Sequence, residues 1–189
     1  MGTNEKKRPL WREIASWVIM LGSAVLIAWF INTVIIVNAS VPTGSMRNTI
    51  QEGTRLVAFR LSYSFSNEPS RFDVIVFESP DGTDTLYVKR IIGLPGETIE
   101  IINGNVFIDG STESLDEWYL MEPPAGRSLI SQYFVIPEGM FFVMGDNRND
   151  SRDSRQNFQE NGWYNRFVPR ENILGRASFT YFPRIGRIR

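Results

Sequence analysis

The chain has 189 residues, 42% hydrophobic and 22% charged, enough for one folded body and an extra segment but not for two full domains. Its net charge of −1 gives no electrostatic basis for binding nucleic acid. With no Cys and no His, disulfides, thiol nucleophiles, thiolate metal sites and any Ser-His-Asp triad are excluded, and the chemistry calls for no cofactor.

The chain opens with a basic cluster, Lys6, Lys7, Arg8 and Arg12, so the remainder is acidic on balance. Residues 14–46 carry no charge, and residues 14–37 are strongly apolar. A membrane-spanning helix needs roughly 20 such residues. The positive-inside rule places the basic end in the cytoplasm, and Trp11, Trp17 and Trp29 offer interfacial anchors. A cleavable signal peptide is the competing reading, with Val37, Asn38 and Ala39 as small residues near a cut. The apolar run, however, far exceeds the roughly 7–15 residues of a signal-peptide core. The expected plan is a cytoplasmic tail (1–13), a transmembrane helix (14–37) and an extracytoplasmic body (38–189).

Beyond Ser45 the pattern turns extended. Residues 72–77 and 86–92 have strand composition, as do 133–136, 140–144 and 173–182. Residues 97–102 and 105–109 flank Asn103-Gly104, the preferred pair for a two-residue hairpin turn. Short strands separated by Pro and Gly predict a mainly β fold, a coiled, antiparallel, barrel-like body behind one helix. Residues 111–131 read as an inserted loop with a helical turn. Residues 155–167, with Trp163, Tyr164 and Phe167, form a second irregular stretch.

Only three lysines occur, and Lys89 alone lies outside the N-terminal cluster. Arginine keeps its proton in proteins, so any side-chain nitrogen base in the body is Lys89. On strand 86–92, Tyr87, Lys89 and Ile91 share one face, while Val88, Arg90 and Ile92 share the other. Alternation does not decide which face is inner, but only the Lys89 face can carry a base.

Four segments in order, VPTGSM (41–46), FDVIVF (72–77), YVKRIIGLPG (87–96) and GDNRNDSRDSR (145–155), resemble the bacterial type I signal peptidases across roughly residues 40–182. The single anchor and absent Cys lean toward the Gram-positive type. The resemblance implies a membrane-bound serine protease with Ser45 as nucleophile and Lys89 as general base. A serine hydroxyl needs such a base. Lys89 must then be neutral, a shift of two to three units worth about 3–4 kcal/mol. The oxyanion hole falls to the Ser45 N–H and the Thr43 hydroxyl, where many relatives carry Ser. By the same resemblance Ser151 hydrogen-bonds the Lys89 amine and Asp153 pairs with Arg155. Asp146 and Arg148 brace the loop, and Tyr87 supports Lys89. Arg47 places a charge beside the cleft.

The implied partners are preprotein signal peptides, bound extended with small residues at the first and third positions before the cut, and membrane lipid. The enzyme is expected to act as a monomer near the export machinery. Two other readings stand beside this one. A self-cleaving repressor-type Ser/Lys protease shares the dyad, but it does not account for the spanning helix. A non-catalytic, membrane-anchored β-barrel interaction module needs no sole body lysine. An aspartic protease fails because Asp84-Thr85 is followed by Leu86 and has no second copy.

Overall fold

A computed structural model describes residues 9–64, 67–79, 85–156 and 166–189. The chain divides into two compact units, residues 1–35 and 36–189. The first is helical: α1 (Leu10–Phe30) continues into a π-helical turn, Ile31–Ile35. Pro9 precedes α1 with a φ of −65°, which suits a helix start, and Glu13 faces the dipole's positive end. No α1 side chain is buried. The Ser23 and Thr33 hydroxyls and the Asn32 amide donate back to the Met20, Trp29 and Ala28 carbonyls, so their polar groups are satisfied within the helix. Leu10–Ile35 is 26 residues long and apolar enough to cross a membrane. At 1.5 Å per residue it reaches about 39 Å, more than the roughly 30 Å of a hydrocarbon core.

These bounds differ from the expected ones. The helix begins at Leu10, inside the presumed tail, and Ile36 and Val37 leave it for a strand. The reason is pairing. In β1 (Ile36–Val41), Val37, Ala39 and Val41 are buried while Asn38 and Ser40 are exposed, and Ile36 and Val37 lie opposite Phe59 and Ala58. Two-residue alternation begins there, hidden in the sequence by the apolar run preceding it.

The second unit is antiparallel β. Its large sheet comprises β1, β2 (Thr54–Phe59), β3 (Val74–Glu78), β4 (Leu86–Gly93), β8 (Met140–Met144), β9 (Val168–Pro169), β10 (Ile173–Phe182) and β11 (Gly186–Arg187). The order is β1-β2-β10-β3-β4-β8-β9, with β11 paired to β10. A smaller sheet, β6-β5-β7, holds β5 (Thr98–Ile102), β6 (Asn105–Ile108) and β7 (Gln132–Val135). Among the described residues the edge strands β1 and β9 do not pair with each other. The large sheet is therefore open rather than a barrel closed by hydrogen bonds. β1 and β2 were not foreseen. The hairpin was: Asn103 and Gly104 have φ of 51° and 82°, the paired positive values a type I′ turn requires.

β3 and β4 are the central strands for function. Val74, Val76 and Val88 pack into one apolar cluster, Ile75, Phe77 and Ile91 into another. Both faces are thus buried, which accounts for the unbroken apolar run of β3. Residues 111–131 are irregular, with a 3₁₀ turn at Gly126–Leu129, and contribute Leu115, Tyr119 and Leu120 to a third cluster against the small sheet. Trp163 and Tyr164 lie outside the described residues.

Candidate active site

Ser45 sits in a 3₁₀ turn, Gly44–Met46, closed by the Arg47 N–H on the Gly44 carbonyl. Met46, fully buried, anchors this turn in the core. β4 brings Lys89 to it: Lys89 lies opposite Ile75 in the β3–β4 ladder, and its Nζ is 2.5 Å from Ser45 Oγ. Both groups are buried, Lys89 at 4% exposure and Ser45 at 7%. Thr43 Oγ1 lies 3.4 Å from Ser45 Oγ. The structure therefore brings together Ser45, Lys89 and Thr43, residues drawn from two segments far apart in the sequence.

Burial dominates the amine. It pulls Lys89 down to about 8 from 10.5, against the opposing pull of Asp153, Asp146 and Asp150 and with the help of Arg155. Among the described residues no carboxylate lies within 4.0 Å of Nζ. The amine can thus lose its proton near neutrality and take one from an alcohol in contact with it.

The loop at 145–155 holds the serine turn in place. The Asn147 N–H donates to the Ser45 carbonyl at 2.9 Å, and the Asn147 amide to the Gly44 carbonyl at 3.0 Å. From the other side, the Asn48 amide donates to the Asp146 carbonyl at 2.9 Å. Gly145 makes the approach possible. A Cβ there would stand 2.6 Å from the Ser45 carbonyl oxygen and 2.2 Å from Ser151 Oγ, closer than packed atoms allow.

The charged residues pair partly as expected. Arg155 forks onto Asp153, Nε to Oδ1 at 2.8 Å and Nη2 to Oδ2 at 2.9 Å. Burial pushes the Asp153 carboxyl up, but Arg155 and the Gly145 N–H outweigh it and hold the group below the usual carboxylate range. Asp146 and Arg148 each take a partner outside the loop. Asp146 accepts from Arg90, Nε at 2.9 Å and Nη2 at 2.6 Å, while Arg148 pairs with Glu117. Ser151 departs from what the resemblance implies. Its Oγ is buried against Gly145 with no hydrogen-bond partner of good geometry, and its influence falls on the Asp153 anion rather than on Lys89. Tyr87 stacks on Phe77, ring centres 5.9 Å apart. Arg47 is exposed, 3.5 Å from Glu52, with its guanidinium lying against Gly44.

Sequence reasoning missed Arg90, Glu117, Tyr119 and Asn147. Arg90 has no exposed surface at all. It also donates to the Phe72 carbonyl at 2.8 Å and lies 4.1 Å from the Tyr119 ring centre. No local pattern marks an arginine as buried when its carboxylate stands 56 residues away. Among the described residues no group of three His, Cys, Asp or Glu side chains is placed to hold a metal ion.

An antiparallel β body with a buried alcohol against a buried amine fits a serine endopeptidase, a hydrolase of peptide bonds, and the comparisons with known proteins identify that class. A family model described as signal peptidase, peptidase S26, matches residues 14–182, and the chain belongs to that family. It is 37% identical to a probable signal peptidase I-1 of Synechocystis sp. over 92% of this chain and 85% of the relative. Against a signal peptidase I of Leptolyngbya laminosa it is 34% identical over 89% and 80%. A crystal structure of a signal peptidase I from Enterococcus faecalis is 36% identical, with a TM-score of 0.45, covering 58% of this chain and 96% of that one. These relatives do not single out the Gram-positive type.

Proposed function

We propose that this chain removes N-terminal signal peptides from exported preproteins, with Ser45 as nucleophile and Lys89 as its general base. The observation that carries the reading is the 2.5 Å contact between two buried groups, Lys89 Nζ and Ser45 Oγ. With Lys89 neutral, its lone pair accepts the Ser45 proton as Oγ attacks the scissile carbonyl. The resulting ammonium then protonates the leaving amine, and water, activated by the same amine, releases the acyl group. The Thr43 hydroxyl and the Ser45 N–H stabilise the oxyanion. Asp153 and Arg155 fix the loop bearing Ser151, and Asp146 fixes the serine turn.

The anchor is a single span within Leu10–Ile35, supported by its length and apolarity. The basic tail lies in the cytoplasm and the body on the outer face, where an extended preprotein leaves the membrane. The enzyme acts as a monomer close to the export machinery and touches lipid.

The test is preprotein cleavage by the full chain in detergent or lipid. Ser45→Ala and Lys89→Ala should each abolish processing while remaining folded. Wild-type turnover by either would defeat the assignment. Thr43→Val should lose about 10²–10³ in kcat and Thr43→Ser little, since only the first removes the donor.

A further inference from the structure

Residues 111–131 read from sequence as an insertion, but in the structure they grip the loop that surrounds the site. Glu117 and Arg148 form a buried bidentate pair, Nη1 to Oε2 at 2.9 Å with Nη2 on Oε1. Burial alone would lower the Arg148 pKa, but Glu117 outweighs it and raises it. Tyr119 joins two ion pairs. Its hydroxyl donates to Glu117 Oε1 at 2.6 Å and accepts from Arg148 Nη2 at 3.2 Å. Its ring lies under the Arg90 guanidinium, which forks onto Asp146. Ser128 completes the grip. Its Oγ donates to the Arg148 carbonyl at 2.6 Å, and Arg155 Nη2 donates to that same oxygen at 2.9 Å. Arg155 also reaches Ser128 Oγ through Nη1 at 3.2 Å.

We propose that this segment is a clamp for the general base: Glu117, Tyr119 and Ser128 are positioning residues that act through Arg148, Arg155 and Arg90 to hold the charged frame around Lys89. The proposal rests on the assignment of Lys89 as base. Four charged groups act on that amine, Asp153, Asp146, Arg155 and Asp150. The clamp sets three of them. Asp153 follows Arg155, Arg155 follows Ser128 and the backbone at Arg148, and Asp146 follows Arg90 on the Tyr119 ring. A buried ion pair gives little stability over a well-packed apolar pair. Its strength is geometric, because a bidentate fork fixes both distance and angle.

Loosening the clamp lets water reach Lys89. Any retreat of Asp153 and Asp146 would weaken their upward pull on that amine, but burial is the largest influence, so its loss prevails and the proton affinity climbs back toward the solution value. At neutral pH fewer molecules then carry the free base. kcat falls, the acid limb of the rate profile moves to higher pH, and KM stays near its original value because Glu117, Tyr119 and Ser128 hydrogen-bond neither Ser45 nor Thr43. Mere loss of folded protein would lower the active fraction and leave the limb in place.

The experiment uses the full chain in detergent, with kcat and KM measured on a preprotein across about pH 6 to 10, and thermal unfolding followed in parallel. Glu117→Gln should reduce kcat about tenfold at pH 7 and move the acid limb up by about one unit, with KM within about twofold. Tyr119→Phe and Ser128→Ala should shift the limb the same way by less. Folded variants with an unmoved limb overturn the clamp. If Glu117→Gln fails to fold, an unmoved limb in the other two overturns it equally. Lys89→Ala, assayed alongside, separates the two proposals. Residual wild-type cleavage there refutes the base assignment, whereas an inactive Lys89→Ala with unmoved limbs in the clamp variants refutes the clamp alone.

Discussion

Raising the pH should reveal the Lys89 amine both in the rate and in the stability. With its pKa drawn down to about 8, about one molecule in ten carries a neutral amine at pH 7. At the solution value the fraction would be about one in 3,000. kcat should therefore rise about tenfold between pH 6 and 7, approach a plateau above pH 8, and show a single acid limb near pH 8. The stability follows from the same protons. Between about pH 8 and 10.5 the unfolded chain keeps this proton while the folded chain has released it, so ν for the unfolded state is larger and stability rises with pH. The rise totals about 3 kcal/mol across that window. Below pH 8 both states are protonated and the same amount stands as a constant cost of burying the ammonium. Lys89→Met removes the group, so its unfolding free energy should exceed that of the wild type below pH 8 and lose the advantage toward pH 10.5. Urea denaturation of both proteins at pH 6, 8 and 10 measures the difference. A limb in the carboxylate range, or a wild-type to Lys89→Met difference independent of pH, would refute the claim that burial controls this amine.

Two further substitutions test the frame around the proposed dyad. Gly145→Ala puts a methyl group 2.6 Å from the Ser45 carbonyl oxygen and 2.2 Å from Ser151 Oγ, so the serine turn must shift. A misplacement near 1 Å can remove about 10²-fold in rate, and a preprotein assay showing near-wild-type cleavage would contradict that packing. Arg90→Met leaves the fully buried Asp146 charge without its partner and should destabilise the fold by about 3–5 kcal/mol in denaturant titration. Arg90→Met with Asp146→Leu should recover part of that loss, and a double variant no more stable than the single would refute the pairing argument.

How much was legible in the sequence depended on how local each signal was. Asn103-Gly104 announced its hairpin because the turn's positive φ angles are a property of those two residues. β8 and β10 appeared at their expected bounds, Met140–Met144 and Ile173–Phe182. β1 did not, since the uncharged stretch from Ile14 masked the change from helix to strand at Ile36. In the site, elimination left Lys89 as the sole candidate base, and the pairing of Asp153 with Arg155 came from the family resemblance. The partners of Asp146 and Arg148 are Arg90 and Glu117, 56 and 31 residues distant. The sequence named no partner for either, because the β4–β8 ladder brings up the first and the packing of residues 111–131 the second.

Lys89 and Arg90 show why the residue type matters more than burial. They are neighbours on β4, both withdrawn from water, and they point to opposite faces of a strand buried on both sides. Arg90 meets a carboxylate in a two-pronged fork, two carbonyl oxygens and an aromatic face, so its charge is compensated within the core. Lys89 meets a hydroxyl, and the carboxylates that act on it do so from beyond contact distance. A guanidinium in the Lys89 position would stay charged and hold Ser45 as an acceptor. An amine in the Arg90 position, beside Asp146, would keep its proton. Only this order along the strand gives one cation that stabilises the loop and one amine free to lose its charge, as the proposed general-base role of Lys89 requires in a chain without histidine.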